Sequence, residues 1–228
     1  MKNARLAHQE IGVYDAKTKL AELLRRVEAG ESFTITNRGN PVADIIPSRT
    51  RNESKTKKTI KAMLASRVSP ISDEYLAELK NVGRKWEMSD FVLDNSVSMR
   101  WLMPSLKPDD QKYADAVLDS ISTAVAIVPT LWRLEVANVL LVSEKRNSIA
   151  PEASAVFLDQ LQSLPITLDS QTTARVFGDT MTVARQSNLT SYDAAYLELA
   201  LREELPLASL DSDLLKAAKK MGVERYLI

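Results

Sequence analysis

Residues 91–96 read FVLDNS, a short apolar run that ends abruptly on the carboxylate of Asp94. An apolar run of this length, followed by polar residues, predicts a buried strand. Two roles for Asp94 are then open. It could cap the helix that follows, because Asp is a preferred N-cap residue. Alternatively, it could belong to a cluster of acids that holds a metal ion.

This run begins a regular alternation of strands and helices that continues to the end of the chain. The predicted strands are SDFVLD (89–94), AVAIVP (124–129), PITLD (165–169), LPLASLD (205–211) and a final short ERYLI (224–228). Helical patterns lie between them. The alternation predicts an α/β domain over residues 88–228, with a mainly parallel sheet flanked by helices. In such sheets, ligands bind beyond the carboxyl ends of the strands.

A small α+β domain is predicted before it, over residues 1–48. EIGVY (10–14) predicts a strand, and Asp15 is placed as the N-cap of a helix that Gly30 ends. SFTIT and PVADIIP lie on either side of NRGN and predict a β-hairpin. The predicted apolar face of the helix consists of Leu20, Leu23, Leu24 and Val27.

Residues 49–87 predict a linker followed by a helical tail. SRTRNESKTKK (48–58) is polar and basic, which is typical of a flexible linker. Two amphipathic stripes follow, which suit docking into a groove on a partner. They could instead pack back on the N-terminal hairpin. The stripes are Ile60, Met63, Leu64 and Val68, and then Ile71, Tyr75, Leu79 and Val82.

Composition narrows the chemistry that is available to the chain. It has 228 residues, of which 45% are hydrophobic, and it has no cysteine and a single histidine, His8. Disulfides, thiolate metal sites and paired-histidine catalysis are therefore excluded. The N-terminus lacks the apolar core of a signal peptide, and no apolar run is long enough to span a membrane. We therefore expect a cytoplasmic protein without membrane contacts.

The net charge of zero hides an asymmetry between the two halves of the chain. Residues 1–87 contain 17 Lys and Arg against 11 Asp and Glu, whereas residues 88–228 contain 13 against 19. A basic half favours binding to nucleic acid. The opposite signs also favour docking of one half on the other, although solvated surface charge would give the same counts.

Four carboxylates in the second half of the chain lie at strand ends, at a helix start or on an apolar helix face, where a charged side chain requires a specific role. Asp94 and Asp211 end predicted strands, and Asp193 opens the helical segment DAAYLELAL. Each of these three could be a helix N-cap. Glu135 has no cap role, because it lies inside LWRLEVANVLL and shares a helical face with apolar residues and no basic one. Those apolar neighbours are Leu131, Val139 and Val142.

If the four acids converge, their mutual repulsion raises their pKa values unless a cation compensates the charge. The arrangement then predicts a hard metal ion, Mg²⁺ or Mn²⁺, on oxygen ligands. Metal-assisted hydrolysis of a phosphodiester needs no histidine. Ser96 and Ser191 could hydrogen-bond the ligating acids, and Asp213 could assist them. Ser96 and Ser191 could instead be ordinary helix-start hydroxyls, and Asp213 could be part of a solvated helix surface.

Four segments together resemble a PIN-domain ribonuclease of the VapC toxin type. They are VLDNSV, LEVANVL with Glu135, SYDAAYLELAL and ASLDSDLLKAA, in that order and spacing. The resemblance implies a Mg²⁺- or Mn²⁺-dependent endoribonuclease that forms homo-oligomers. It also implies that Asp94, Glu135, Asp193 and Asp211 form the acidic quartet. Asn95 departs from the pattern, since Thr is common after the first acid.

Residues 10–47 resemble the DNA-binding end of a Phd/YefM-type antitoxin of the VapB kind. The resemblance implies a dimer that binds operator DNA and a tail that wraps and inhibits the toxin, within one chain or between chains. Basic side chains that could enter the acidic site are Arg84 and Lys85, with Trp86 as an apolar anchor. The candidate DNA contacts are Lys17, Lys19 and Arg38.

The sequence therefore predicts a toxin–antitoxin pair in one chain, with an RNA-cleaving second half that the first half inhibits. Two alternatives remain open. The chain could be a DNA-binding regulator whose PIN-like half dimerises without catalysis, or a structure-specific DNA nuclease that uses the same acids.

Overall fold

The structure is a computed structural model, which describes residues 9–28, 33–45, 53–67 and 90–227. It divides into two compact units, residues 1–50 and 51–228. The segment that follows the N-terminal domain therefore belongs to the second unit, together with the α/β domain.

The first unit contains a three-stranded mixed sheet and two short helices. The strands are β1 (Gln9–Gly12), β2 (Phe33–Asn37) and β3 (Asn40–Ile45), and the helices are α1 (Val13–Thr18) and α2 (Leu20–Glu28). β1 pairs with β2 in parallel, and β2 pairs with β3 in an antiparallel hairpin. A small apolar core holds these elements together, formed by Ala16, Leu23, Val27 and Phe33.

The hairpin was predicted correctly, but the helix before it was not. Arg38 and Gly39 form its turn, and both have positive φ angles, 51° and 81°, as two-residue hairpin turns require. The single predicted helix is broken at Lys19, and Asp15 lies inside α1, whose N-cap is Gly12. The predicted apolar face was half wrong, because Leu23 and Val27 are buried whereas Leu20 and Leu24 are each 47% exposed.

The second unit begins with a helix where the sequence predicted part of a linker. Helix α3 spans Glu53–Ala65, so residues 53–58 are helical rather than unstructured. Ile60 and Met63 are buried in the main hydrophobic core of this unit, and Leu64 packs against that core. These three residues of the first stripe therefore pack on the α/β domain, and its fourth residue, Val68, lies outside the described residues. The second predicted stripe, from Ile71 to Val82, lies outside the described residues.

Four parallel strands form the sheet of the α/β domain. They are β4 (Phe91–Leu93), β5 (Ala126–Val128), β6 (Ile166–Leu168) and β7 (Leu207–Ala208), in the order β6-β5-β4-β7. Every pairing is parallel, so the predicted fold class is confirmed. The predicted final strand ERYLI was wrong, because only an isolated bridge joins Arg225 to Leu207.

Helices flank this sheet. They are α4 (Asn95–Ser98), α5 (Pro108–Ser120), α6 (Trp132–Lys145), α7 (Pro151–Gln162), α8 (Thr172–Arg175), α9 (Met181–Ser187), α10 (Ser191–Arg202) and α11 (Ser212–Lys220). A 3-10 turn, Met99–Trp101, follows α4, and a π turn, Val176–Thr180, joins α8 to α9. Among the described residues, none of the helices is both long and apolar enough to cross a membrane.

The central position of β4 in the sheet explains why three apolar residues precede the carboxylate in FVLDNS. Phe91, Val92 and Leu93 are fully buried, since β4 lies between β5 and β7 and is covered by helices. A strand buried on both faces needs apolar side chains at every position. Asp94 is the first polar residue at the carboxyl end of this strand.

Candidate metal centre

Asp94 is a buried carboxylate that is held by two hydroxyl groups. It is only 7% exposed, and the Ser96 and Ser209 side chains both donate hydrogen bonds to its Oδ2 atom, the second at 2.7 Å. Asp94 occupies the N-cap position of α4, but its side chain makes no capping hydrogen bond. Burial raises the pKa of Asp94, and the hydroxyl groups partly oppose that shift. The cap interpretation therefore does not explain this side chain.

The same two hydroxyls connect the ends of two neighbouring strands. Ser96 Oγ accepts a hydrogen bond from the Leu210 backbone N–H at 3.0 Å, and Ser209 Oγ accepts one from Asp211 at 2.9 Å. The loop after β7 is thereby fixed against the end of β4. Sequence reasoning missed Ser209, which is fully buried. The sequence feature that could have indicated Ser209 is its position in ASLD, two residues before an acid at a strand end.

Glu135 lies in the first turn of α6 and is half-buried. The Tyr196 hydroxyl on α10 donates a hydrogen bond to its Oε2 atom. Burial, together with the nearby charges of Asp94 and Asp193 and against the effect of the Tyr196 hydrogen bond, raises the pKa of Glu135 to about 7. This acid therefore lies in a region of uncompensated negative charge.

Asp193 lies in the first turn of α10 but is not its N-cap, contrary to the cap interpretation. The N-cap is Thr190, whose Oγ1 accepts from the Asp193 N–H and donates to its Oδ2 at 2.7 Å. Asp193 is half-buried. Its charge raises the pKa of both Asp94 and Glu135, so Asp193 lies within electrostatic range of each of them. Ser191 is exposed, and the hydrogen bonds described for this part of the chain do not join it to an acid.

Asp211 differs from the other three acids. Its Oδ1 atom accepts from the backbone N–H groups of Asp213 and Leu214 at 2.9 and 2.8 Å, so it caps α11. It is exposed. Asp213 is also exposed and pairs with Lys216 at 2.9 Å, which lowers the pKa of Asp213. At these two positions the structure shows ordinary helix-start roles.

The donor set fits a hard divalent cation in its chemistry. In the part of the chain that the structure describes, none of the four acids forms an ion pair with Lys or Arg. All of the donors are oxygens, which suit Mg²⁺ or Mn²⁺. No group of three acidic side chains within the described ranges is close enough to form a ready-made metal site. The fit therefore rests on donor type and uncompensated charge.

The structure does not test the remaining predicted functional residues. Arg84, Lys85 and Trp86 are outside the described residues. Lys17, Lys19 and Arg38 are exposed in the first unit, with Arg38 in the hairpin turn. Exposure at these positions is compatible with contacts to nucleic acid and with ordinary surface charge.

Comparison with known proteins assigns the α/β domain to a family. The family described as "PIN domain" matches residues 91–220, which is more than half of the chain. The chain therefore belongs to the PIN domain family. The crystal structure of PAE2754 from Pyrobaculum aerophilum is similar at 21% identity, with a TM-score of 0.43, over 60% of this chain and 84% of that one.

The N-terminal segment has a different relative. Over 37 residues it is 54% identical to Antitoxin VapB46 of Mycobacterium tuberculosis, in the strains CDC 1551 / Oshkosh and ATCC 25618 / H37Rv. The match covers 16% of this chain and only 36% of the relative's length. One polypeptide thus joins a segment similar to a VapB antitoxin to a PIN domain.

Proposed function

We propose that this chain is a type II toxin–antitoxin module in a single polypeptide, a fusion of VapB and VapC type. Residues 88–228 are the metal-dependent endoribonuclease, and residues 1–87 are the antitoxin that binds operator DNA and inhibits the nuclease. The observation that carries the proposal is the buried Asp94 carboxylate, which has acidic neighbours and no basic partner among the described residues. Such a charge is costly to bury unless a ligand compensates it.

In this proposal Asp94, Glu135 and Asp193 hold Mg²⁺ or Mn²⁺, and Asp211 contributes through the carboxylate oxygen that does not cap α11. The metal would supply an activated water and would stabilise charge on the scissile phosphate of RNA. Ser96 and Ser209 orient the Asp94 carboxylate, and Tyr196 orients that of Glu135. Hydroxyl partners of this kind fix the direction in which a ligand's free oxygen points.

The first unit is proposed to bind operator DNA for autoregulation. The similarity to Antitoxin VapB46 supports this role, as does the net positive charge of residues 1–87. Lys17, Lys19 and Arg38 are the residues proposed to bind the phosphates. Replacing all three by Ala should weaken operator binding. The slope of log K against log salt should also become shallower, by about 0.9 for each phosphate that is no longer neutralised.

Inhibition is proposed to come from the tail, residues 49–87. Helix α3 already packs on the PIN domain through Ile60 and Met63. Arg84 and Lys85, with Trp86 as the anchor, are the proposed residues that neutralise the acidic centre, in the same chain or in a second copy. We expect the module to act as a homo-oligomer in the cytoplasm, where both RNA and operator DNA are found.

The test uses the full-length chain and a structured RNA substrate. Cleavage is measured with Mg²⁺, with Mn²⁺ and with excess EDTA, for the unmodified chain and for an R84A/K85A/W86A variant. The proposal predicts little cleavage by the unmodified chain and metal-dependent cleavage by the tail variant. Adding Asp94→Asn to the tail variant should abolish cleavage, whereas adding Asp159→Asn, an exposed acid on α7, should not.

The same assay separates the proposal from the two alternatives. If the folded tail variant binds neither metal nor RNA but still binds operator DNA, the PIN domain is non-catalytic and the chain is a regulator. If it cleaves branched or single-stranded DNA in preference to RNA, it is a DNA nuclease.

A further inference from the structure

A second buried acid, Asp115, lies outside the candidate metal centre. It is on α5, and its side chain is completely inaccessible to solvent. Arg67 lies two residues beyond the end of α3 and pairs with Asp115 through Nη2, with a side chain that is 1% exposed. The ion pair therefore joins the tail segment to the PIN domain in the interior of the second unit.

Neighbouring groups fix both members of this pair. Arg67 Nε donates to the backbone carbonyl of Trp101 at 3.1 Å. Gln111 Nε2 donates to Asp115 Oδ1 at 2.8 Å, the same oxygen that Arg67 contacts. We call Trp101, Gln111 and Asp115 the Asp115 seat. It presents one carboxylate and one carbonyl at the end of the apolar surface that buries Ile60 and Met63.

The pair is satisfied only in part. Arg67 Nη1 and Asp115 Oδ2 are buried and have no hydrogen-bond partner in the described structure. A buried ion pair with such deficits adds little stability over an apolar pair of the same size. Removing only one member, however, leaves an uncompensated buried charge, which is strongly destabilising. The pair is therefore better suited to discriminate between partners than to increase affinity.

We propose that the Asp115 seat determines which helix the PIN domain accepts. The partner that fits is an amphipathic helix that is followed by an arginine two residues beyond its end, as Arg67 follows Ala65. This arginine comes seven residues after the first buried apolar residue of the helix, Ile60. A helix with an uncharged residue at that position leaves Asp115 charged and unpaired, so the seat rejects it. The proposal rests on the proposed function only in regarding this helix as an antitoxin tail.

Recognition at this seat is separate from the candidate metal centre. The seat lies on α5 and on the 3-10 turn Met99–Trp101, and neither element carries one of the four acids. Docking of the helix and occupation of the acidic centre can therefore be changed independently. Arg67 retains the tail on the PIN domain, whereas the residues proposed to enter the acidic centre are Arg84 and Lys85.

The test is hydrogen exchange of the full-length chain, followed at the amides of residues 53–67 and of β4. The variants are Arg67→Met, Asp115→Asn and the double variant, with Lys61→Met as the control. Lys61 is an exposed residue of the same helix, so its change removes a positive charge without altering the seat. Arg67→Met should raise the opening equilibrium of the helix at least about 100-fold, as expected for a buried pair that loses one partner.

The double variant should return the opening equilibrium to within about tenfold of the unmodified chain, because two neutral side chains leave no buried charge. Exchange in β4 and in Lys61→Met should stay unchanged. Three results would overturn the proposal: no effect of Arg67→Met, no recovery in the double variant, or an equal rise in β4. No metal, RNA or DNA is present in this assay, so its outcome is independent of whether the chain proves to be a ribonuclease.

Discussion

Asp94 and Asp115 are both buried aspartates of the PIN domain, but their surroundings are opposite. Asp115 has an arginine, Arg67, as its partner. Asp94 has two serine hydroxyls and acidic neighbours, and its pKa is raised. Among the described residues, a basic side chain therefore pairs with Asp115 and none pairs with Asp94. The charge of Asp115 is compensated within the chain, and that of Asp94 suits a cation that comes from solution.

The largest expected effect is the loss of RNA cleavage when Asp94 is replaced. In the R84A/K85A/W86A background, Asp94→Asn should lower metal-dependent RNA cleavage by about 1,000-fold, as loss of several kcal/mol of transition-state stabilisation implies. The metal-free protein should unfold no more easily than its parent, because a carboxyl whose pKa is raised in the fold favours its neutral form. Cleavage rates and urea unfolding at pH 7.5 measure the two effects. If Asp94→Asn lowered the stability of the fold as strongly as it lowered cleavage, Asp94 would not differ from Asp115 in the way described above.

Replacing Asp115, the acid that pairs with Arg67, should affect stability but not metal binding. Asp115→Asn leaves Arg67 charged and buried, so the free energy of opening of residues 53–67 should fall by about 3–5 kcal/mol. Metal affinity of the protein that remains folded should not change, since α5 carries none of the four acids. Hydrogen exchange at residues 53–67 and Mn²⁺ titration check this expectation. A large loss of Mn²⁺ affinity in folded Asp115→Asn would mean that the two sites are coupled.

Removing a hydroxyl beside Asp94 should have an intermediate effect. Ser209→Ala removes the donor to Asp94 and the acceptor for the Asp211 N–H. We expect metal affinity to fall by about 10–100-fold, as is typical when a hydrogen-bond partner of a metal ligand is removed. Ser120→Ala is the matched control, because within the described residues that buried hydroxyl bonds to the Val117 carbonyl of its own helix and to no acid. Equal effects of the two changes on Mn²⁺ affinity would argue against an orienting role for Ser209.

The smallest expected effect is the pH dependence that Glu135 imposes. Its pKa is about 7 in the fold and 4.5 ordinarily, so its contribution to stability is present below about pH 4.5 and is lost as the pH rises to about 7. Metal binding requires the carboxylate, so Mn²⁺ affinity should rise about tenfold from pH 6 to pH 8. Tyr196→Phe removes a hydrogen bond that lowers this pKa and should move the midpoint upward. A flat profile in isothermal titration would exclude Glu135 as a ligand.

The fold of the second half could be predicted because its signals are local. A buried parallel strand such as Phe91–Leu93 reads as an unbroken apolar run, and the carboxylate that follows marks the edge of the sheet. The final strand was wrong because ERYLI has strand-forming residues but reaches β7 only at one bridge, Arg225 to Leu207. Pairing of that kind depends on tertiary packing rather than on propensity.

The candidate acids stand out in the sequence, whereas their hydrogen-bond partners do not. Asp94 and Glu135 have unusual positions in their own patterns, which sequence reveals. Ser209 and Tyr196 matter because the fold brings them to those acids across 115 and 61 residues. Arg67 was missed for the same reason, since its charge in a polar, basic stretch gave no sign of a buried partner. Side-chain pairs between distant parts of the chain can be predicted only when the packing is known.

The decisive experiment on the metal centre is titration of the full-length R84A/K85A/W86A chain with Mn²⁺ at pH 8, followed by electron paramagnetic resonance. We expect saturable binding that Mg²⁺ displaces, that Asp94→Asn abolishes and that Asp159→Asn leaves intact. If the folded chain binds no Mn²⁺, or if Asp94→Asn binds it as tightly as its parent, Asp94 is not a metal ligand and the proposed nuclease centre is wrong.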